Sequence, residues 1–195
     1  MTRFALRLAA LALAGLPLLT LAHTGGDGGS HHGFLEGLSH PFTGLDHLAA
    51  MLAVGYWSAL TARRVWVAPL AFAVLLAVGA GLGLGGFELP AIEPMIAASL
   101  LVVGLLAATR ARLPALAGGA LVGGFALFHG LAHGLELAGN GTIAPLLGML
   151  LGTVVLHAVG MLVGHLTRER SVWWPRLAGG AVAAFGAALL LPLVA

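Results

Sequence analysis

Long apolar segments follow one another through most of the chain, and they leave few folds open to it. The runs after residue 40 cover residues 41–62, 65–87, 90–109, 113–138, 142–167 and 172–195. Each has at least 20 residues, enough for an α-helix to cross the hydrocarbon core of a bilayer. The connections between them are short, so neighbouring helices run in opposite directions. The sequence therefore predicts an all-α polytopic membrane protein with six transmembrane helices.

The composition excludes several other classes of protein. Only 8% of the residues are charged and 59% are hydrophobic, which is incompatible with a water-soluble globular domain. The chain has no cysteine, so disulfides and thiolate metal sites are excluded. Its few basic residues do not form the patches of a nucleic-acid-binding surface, and we expect no nucleic-acid partner.

The first 22 residues are typical of a cleavable signal peptide. Arg3 and Arg7 precede an apolar stretch that ends in Thr20-Leu21-Ala22, with small residues where signal peptidase requires them. We expect cleavage after Ala22; the alternative is an uncleaved signal anchor. Residues 23–40 would then form an extracytoplasmic segment rich in glycine and histidine, and residues 41–195 the six-helix transmembrane domain.

The arginines predict the orientation of the helices. All arginines after residue 22 fall at the ends of spans one, three and five: Arg63, Arg64, Arg110, Arg112, Arg168, Arg170 and Arg176. By the positive-inside rule these ends are cytoplasmic, and both termini of the mature chain are outside. We expect a multi-pass protein of the bacterial cytoplasmic (inner) membrane.

Three ionisable side chains interrupt the fourth apolar run, in the sequence F-H-G-L-A-H-G-L-E from Phe128 to Glu136. On a helix, His129, His133 and Glu136 fall within about 40° of one another. Ionisable groups at membrane depth are costly and usually face a bundle interior or a wet cavity, where they have a function. The pattern predicts a stripe of metal ligands that descends from the outer surface towards the middle of the membrane.

A second motif, H-P-F-T-G-L-D-H from His40 to His47, opens the first span. Pro41 suits the first turn of a helix, so we expect His40 at a cap or just before the helix. Asp46 and His47 would lie one to two turns below the outer surface. Both motifs then reach the same leaflet, and the predicted ligands are His40, Asp46, His47, His129, His133 and Glu136. Further candidates for metal binding are His23, His31, His32, Glu36, Glu93 and His157.

Imidazole and carboxylate ligands without thiolate suit borderline divalent ions such as Ni²⁺, Co²⁺ and Zn²⁺. Ligand identity does not distinguish these three ions. Each residue also has a structural explanation, since Asp46 could complement a helix dipole and a single intramembrane histidine often only bonds a neighbouring helix. The coincidence of six such residues at one leaflet favours a metal site.

The two motifs resemble those of the HupE/UreJ family of hydrogenase and urease accessory proteins, which are regarded as nickel or cobalt permeases. The resemblance also covers the signal sequence followed by histidine and the length of the chain. It implies that the six motif residues serve metal uptake and that the substrate is nickel or cobalt.

The resulting hypothesis is a permease, not an enzyme, that passes a divalent transition ion inwards between spans one, four and five, with His157 as an inner ligand. The expected partners are the metal ion and the lipid bilayer, and a homo-oligomer is left open. Two alternatives remain at this stage. One is an intramembrane zinc-dependent hydrolase; the other is a metal-binding accessory or sensor protein.

Overall fold

A computed structural model describes residues 33–138 and 143–195. Within these ranges the chain forms seven α-helices and no strand: α1 (Phe34–Thr43), α2 (Leu45–Thr61), α3 (Val67–Leu84), α4 (Ile92–Thr109), α5 (Ala115–Leu137), α6 (Ala144–Thr167) and α7 (Trp173–Val194). The prediction of an all-α fold is confirmed. The signal peptide predicted at residues 1–22 and the candidate ligands His23, His31 and His32 lie outside the described residues.

Five of the helices, α3 to α7, are long and apolar enough to cross a membrane. Their bounds agree within a few residues with the second to sixth predicted spans. The chain is therefore a multi-pass membrane protein by the length and composition of its helices. The sixth crossing stays a prediction, because α2 has only 17 residues. The orientation of the helices and the positions of the termini also stay predictions.

The prediction for the first span was wrong in its start and its continuity. The chain is already helical from Phe34, and His40 and Pro41 lie inside α1 instead of at a helix start. The helix ends at Gly44, whose backbone is extended, and α2 begins at the next residue. Both the Gly44 amide and the Thr43 hydroxyl donate to the His40 carbonyl, and together they close the last turn of α1.

Packing against α6 explains why α1 forms at all, since an isolated helix of ten residues is marginal in water. Gly37 of α1 lies directly on the backbone of Pro145 of α6, and Gly148 of α6 lies on the backbone of Phe34. A side chain at either glycine would hold the two helices apart. These contacts join residues more than 100 positions apart, so no local pattern near Pro41 reveals them.

Glycine brings other helices into backbone contact as well. Gly130 and Gly134 of α5 lie against the carbonyls of Leu76 and Ala80 of α3, and a Cβ atom at either glycine would overlap those oxygens. Small residues allow this close approach in membrane helices. Similar glycine contacts join α2 to α6 and α4 to α7. The close approach of α3 to α5 fixes the helix that carries the second histidine motif.

The two ends of the helix bundle differ in composition. At one end, which we call the arginine end, the connections at residues 62–66, 110–114 and 168–172 come together. There the Trp57 indole N–H donates to the Ala111 carbonyl over 2.8 Å, and the Arg110 guanidinium donates to the Arg168 carbonyl. The opposite end, the histidine end, contains α1, the first turn of α2 and the last turns of α5.

Candidate metal site

Four imidazoles from three helices meet at the histidine end. The ring centroids of His40 (α1) and His133 (α5) are 4.7 Å apart, and those of His47 (α2) and His133 are 4.5 Å apart. His47 also lies 5.0 Å from His129, one turn deeper on α5. We call these four residues, with Asp46 and Glu136, the histidine cluster. The structure thus brings together all six residues of the two motifs.

Each carboxylate of the cluster orients a histidine. Asp46 Oδ1 lies 2.9 Å from His47 Nδ1, and Glu136 Oε2 lies 3.2 Å from His133 Nδ1. Because an ionised carboxylate only accepts hydrogen bonds, both Nδ1 atoms carry the proton and both Nε2 atoms keep a lone pair. Metal-binding histidines commonly donate their second ring N–H to a carboxylate in this way.

Three ring nitrogens of the cluster are buried without a hydrogen-bond partner among the described residues: His47 Nε2, His129 Nδ1 and His133 Nε2. His129 is fully buried and His133 is 3% exposed. Most buried polar atoms in proteins have a partner, and an atom without one destabilises the fold. Unpartnered imidazole nitrogens side by side are chemically suited to bind a divalent transition ion.

The outer part of the cluster opens to a cavity of about 110 Å³, lined also by Glu36, Pro145 and Met149. Here one ligand atom from each of His40, His133 and Glu136 lies within 4.8 Å of the other two. Ligand atoms around a tetrahedral zinc ion are roughly 3.4 Å apart. An ion would therefore draw these three side chains together by at most about 1.4 Å.

The remaining candidates are placed differently. Glu36 lines the outer cavity and is exposed. Glu93 is exposed in the first turn of α4, and no hydrogen bond or ion pair of the described residues joins it to the cluster. His157 is buried in α6 and its ring contacts that of Phe72 (α3), 5.0 Å away, but no ring contact or hydrogen bond of the described residues joins it to a cluster histidine. Phe72 in turn lies 5.6 Å from His129. His157 is therefore not part of the cluster.

Sequence reasoning missed two residues next to the histidines. Phe72 is 1% exposed and contacts both His129 and His157, and Ser99 Oγ of α4 lies 3.0 Å from His129 Nε2. Nothing in the sequence distinguishes Phe72 from the other apolar residues of its span. Ser99 is a single polar residue within an apolar run, and that signal is equally typical of an ordinary bond between helices.

Comparison with known proteins identifies the family of the chain. No solved structure matches the chain. The chain is similar to Protein HupE of Rhizobium leguminosarum bv. viciae, with 42% identity over 187 residues, which cover 93% of this chain and 95% of that protein. A family model described as HupE / UreJ protein matches residues 11–189. The chain therefore belongs to the HupE/UreJ family.

Proposed function

We propose that the chain is a permease that takes up Ni²⁺, or Co²⁺, across the bacterial cytoplasmic membrane. One observation carries the proposal: imidazoles and carboxylates from α1, α2 and α5 converge at the end of the bundle opposite the arginines. Family membership supports the same substrate class, because the HupE/UreJ proteins are regarded as nickel or cobalt permeases. By the positive-inside rule, the histidine end faces outwards and receives the ion.

The broken first span supports a transport site. In our proposal α1 and α2 form the sixth crossing together, since α2 alone is about 26 Å long. The break at Gly44 places His47 in the first turn of α2, beside His133 of α5. Transporters commonly build their substrate sites around such discontinuous helices.

Ligand exchange would move the ion through the cluster. Glu36, His40 and Glu136 would capture it at the outer cavity, and the deeper imidazoles would then replace the outer ligands one at a time. Asp46 and Glu136 together carry two negative charges, which balance those of a divalent ion. This balance lowers the electrostatic penalty for bringing the ion into an apolar bundle.

Passage beyond the cluster would require movement of Phe72. Its ring contacts both His129 and His157, so in our proposal an ion that leaves the cluster for His157 passes this ring. His157 would take the ion once the ring has moved. With the ring in its present position, the outer site would stay separate from the inner half of the bundle, as transport of a selected ion without leakage demands.

Uptake by vesicles that contain the purified full chain tests the proposal. Wild-type vesicles should accumulate radioactive nickel in the lumen, with competition from unlabelled Co²⁺, and His133→Ala should reduce accumulation to the level of empty vesicles. The matched control is His165→Ala, an exposed histidine on α6. Nickel that binds to the protein without entering the lumen would contradict the permease and favour a sensor, an accessory protein or a hydrolase.

A further inference from the structure

Ser99 connects α4 to the deepest histidine of the cluster. Its side chain is buried, with the residue 2% exposed. Its hydroxyl oxygen lies 2.6 Å from the Ile96 carbonyl oxygen and 3.0 Å from His129 Nε2. Ser99 is therefore the hydrogen-bond partner of His129 Nε2.

Counting protons assigns the direction of these bonds. A serine hydroxyl has one proton to donate, whereas a backbone carbonyl has none. The short contact to Ile96 requires that proton, because the carbonyl oxygen can only accept. The bond between Ser99 and His129 must then take its proton from His129, so that Nε2–H donates to the hydroxyl oxygen.

The consequence concerns the other ring nitrogen. A neutral imidazole carries one proton, so His129 Nδ1 keeps a lone pair. This atom is buried and has no hydrogen-bond partner in residues 33–138 and 143–195. The ring of His47, which also has an unpartnered nitrogen, lies 5.0 Å away.

We propose that Ser99 is a positioning residue that holds His129 in the Nε2–H tautomer and so leaves Nδ1 as the atom that binds the transported ion. This inference rests on the proposed function, because it names the ligand atom of the same site. Ser99 accepts a hydrogen bond from one ring nitrogen of His129, Nε2. Asp46 and Glu136 do the same at Nδ1 of His47 and His133.

Serine differs from the two carboxylates in charge, and this difference affects how strongly the site would hold an ion. Asp46 and Glu136 already balance the charge of a divalent ion, and a third carboxylate beside His129 would leave the loaded site negative. A hydroxyl orients the imidazole without adding charge. The deepest ligand thus stays correctly oriented while the ion is held loosely enough to move on, as conduction through successive sites requires.

The first test measures the tautomer directly, without metal. The full chain with ¹⁵N-labelled histidine, in detergent at a pH where imidazoles are neutral, is examined by NMR, and His129→Gln identifies the signals of His129. We expect the proton on Nε2 in the wild type. A proton on Nδ1 would overturn the proposal, whatever the protein transports.

The second test uses variants with nickel as the probe. Ser99→Ala should weaken nickel binding by roughly 10–100-fold, the usual effect of losing such an orienting partner, and should mix the two tautomers of His129. Ser99→Thr keeps the hydroxyl and should restore both properties. The control is Ser58→Ala, because Ser58 is also buried and donates to a carbonyl, that of Val65, but lies at the arginine end.

The outcomes separate this inference from the proposed function. If Ser99→Ala keeps the wild-type affinity and tautomer, the positioning role is wrong. Should Ser99→Ala fail to fold, the wild-type spectrum and the Ser99→Thr variant still decide. If instead the wild type has the Nε2–H tautomer but vesicles with His129→Ala still accumulate nickel, the proposed path is wrong and the tautomer assignment stands.

Discussion

Buried polar groups at the two ends of the bundle differ in their hydrogen bonding. At the arginine end, Ser58 and Trp57 donate to backbone carbonyls over 2.6 and 2.8 Å; Arg110 Nε is the exception, since it has no partner among the described residues. At the histidine end, buried nitrogens of three neighbouring imidazoles lack one. Most buried polar groups in proteins have a partner, so the adjacent unpartnered nitrogens at the histidine end are the groups that a ligand from outside the chain would satisfy.

Removal of a central histidine should have the largest effect. His133 contacts both His40 and His47, so His133→Ala removes a proposed ligand and the ring that joins the outer cavity to the deeper imidazoles. We expect nickel uptake by vesicles to fall to the background level. An equal loss of uptake in His165→Ala, at the arginine end of α6, would contradict the claim that the two ends differ in function.

Loss of an orienting carboxylate should have the next largest effect. Asp46→Asn keeps the size of the side chain but removes its charge and weakens its bond to His47 Nδ1. We expect nickel affinity, measured by calorimetry, to fall by roughly 10–100-fold. Glu88→Gln is the control, because this carboxylate is exposed in the connection between α3 and α4. Equal affinities for both variants would show that Asp46 does not orient the ligand.

A change in helix spacing should affect the site less directly. A Cβ atom at Gly130 would overlap the Leu76 carbonyl oxygen, whereas one at Gly124 of the same helix meets open space. We expect Gly130→Ala to destabilise the protein by about 1–3 kcal/mol, because α5 must move away from α3. Gly124→Ala should leave the stability unchanged or slightly increased. Thermal unfolding in detergent compares them, and equal midpoints would contradict the backbone contact.

The outermost carboxylate should have the smallest effect. Glu36 is exposed and lines the cavity, so it would attract the ion without holding it closely. Glu36→Gln should lower uptake by about two- to fivefold at low nickel concentration and low salt. At saturating nickel or high salt the difference should disappear, because salt screens charges in water. A loss that persists under saturation would make Glu36 a ligand instead.

The apolar runs predicted most of the fold because membrane helices must be long, continuous and apolar. The second to sixth predicted spans accordingly agree with α3 to α7. The prediction for the first span failed at His40, Pro41 and Gly44. It assumed that Pro41 begins a helix, whereas tertiary packing extends a helix on both sides of this proline. Backbone contact between α1 and α6 stabilised a helix before the proline, and sequence reasoning about neighbouring residues cannot include such a contact.

The site shows a similar division. That His129, His133 and Glu136 share one face of a helix follows from helical periodicity, and the arginines indicated that the first motif would reach the same end. Both inferences need only the order of residues along the chain. The partners of each ring depend on other helices: Ser99 of α4 and Phe72 of α3 reach His129 through packing alone.

Residue order was therefore sufficient for the five long helices α3 to α7 and for the kinds of ligand the chain can offer, because hydrophobic length and ligand chemistry belong to the residues themselves. The arrangement of the helices in space was needed to establish which imidazole nitrogens are oriented, which are unpartnered and which histidines the ring of Phe72 contacts. Those properties depend on distances of a few ångströms between side chains far apart in the sequence, and only the packed bundle defines them.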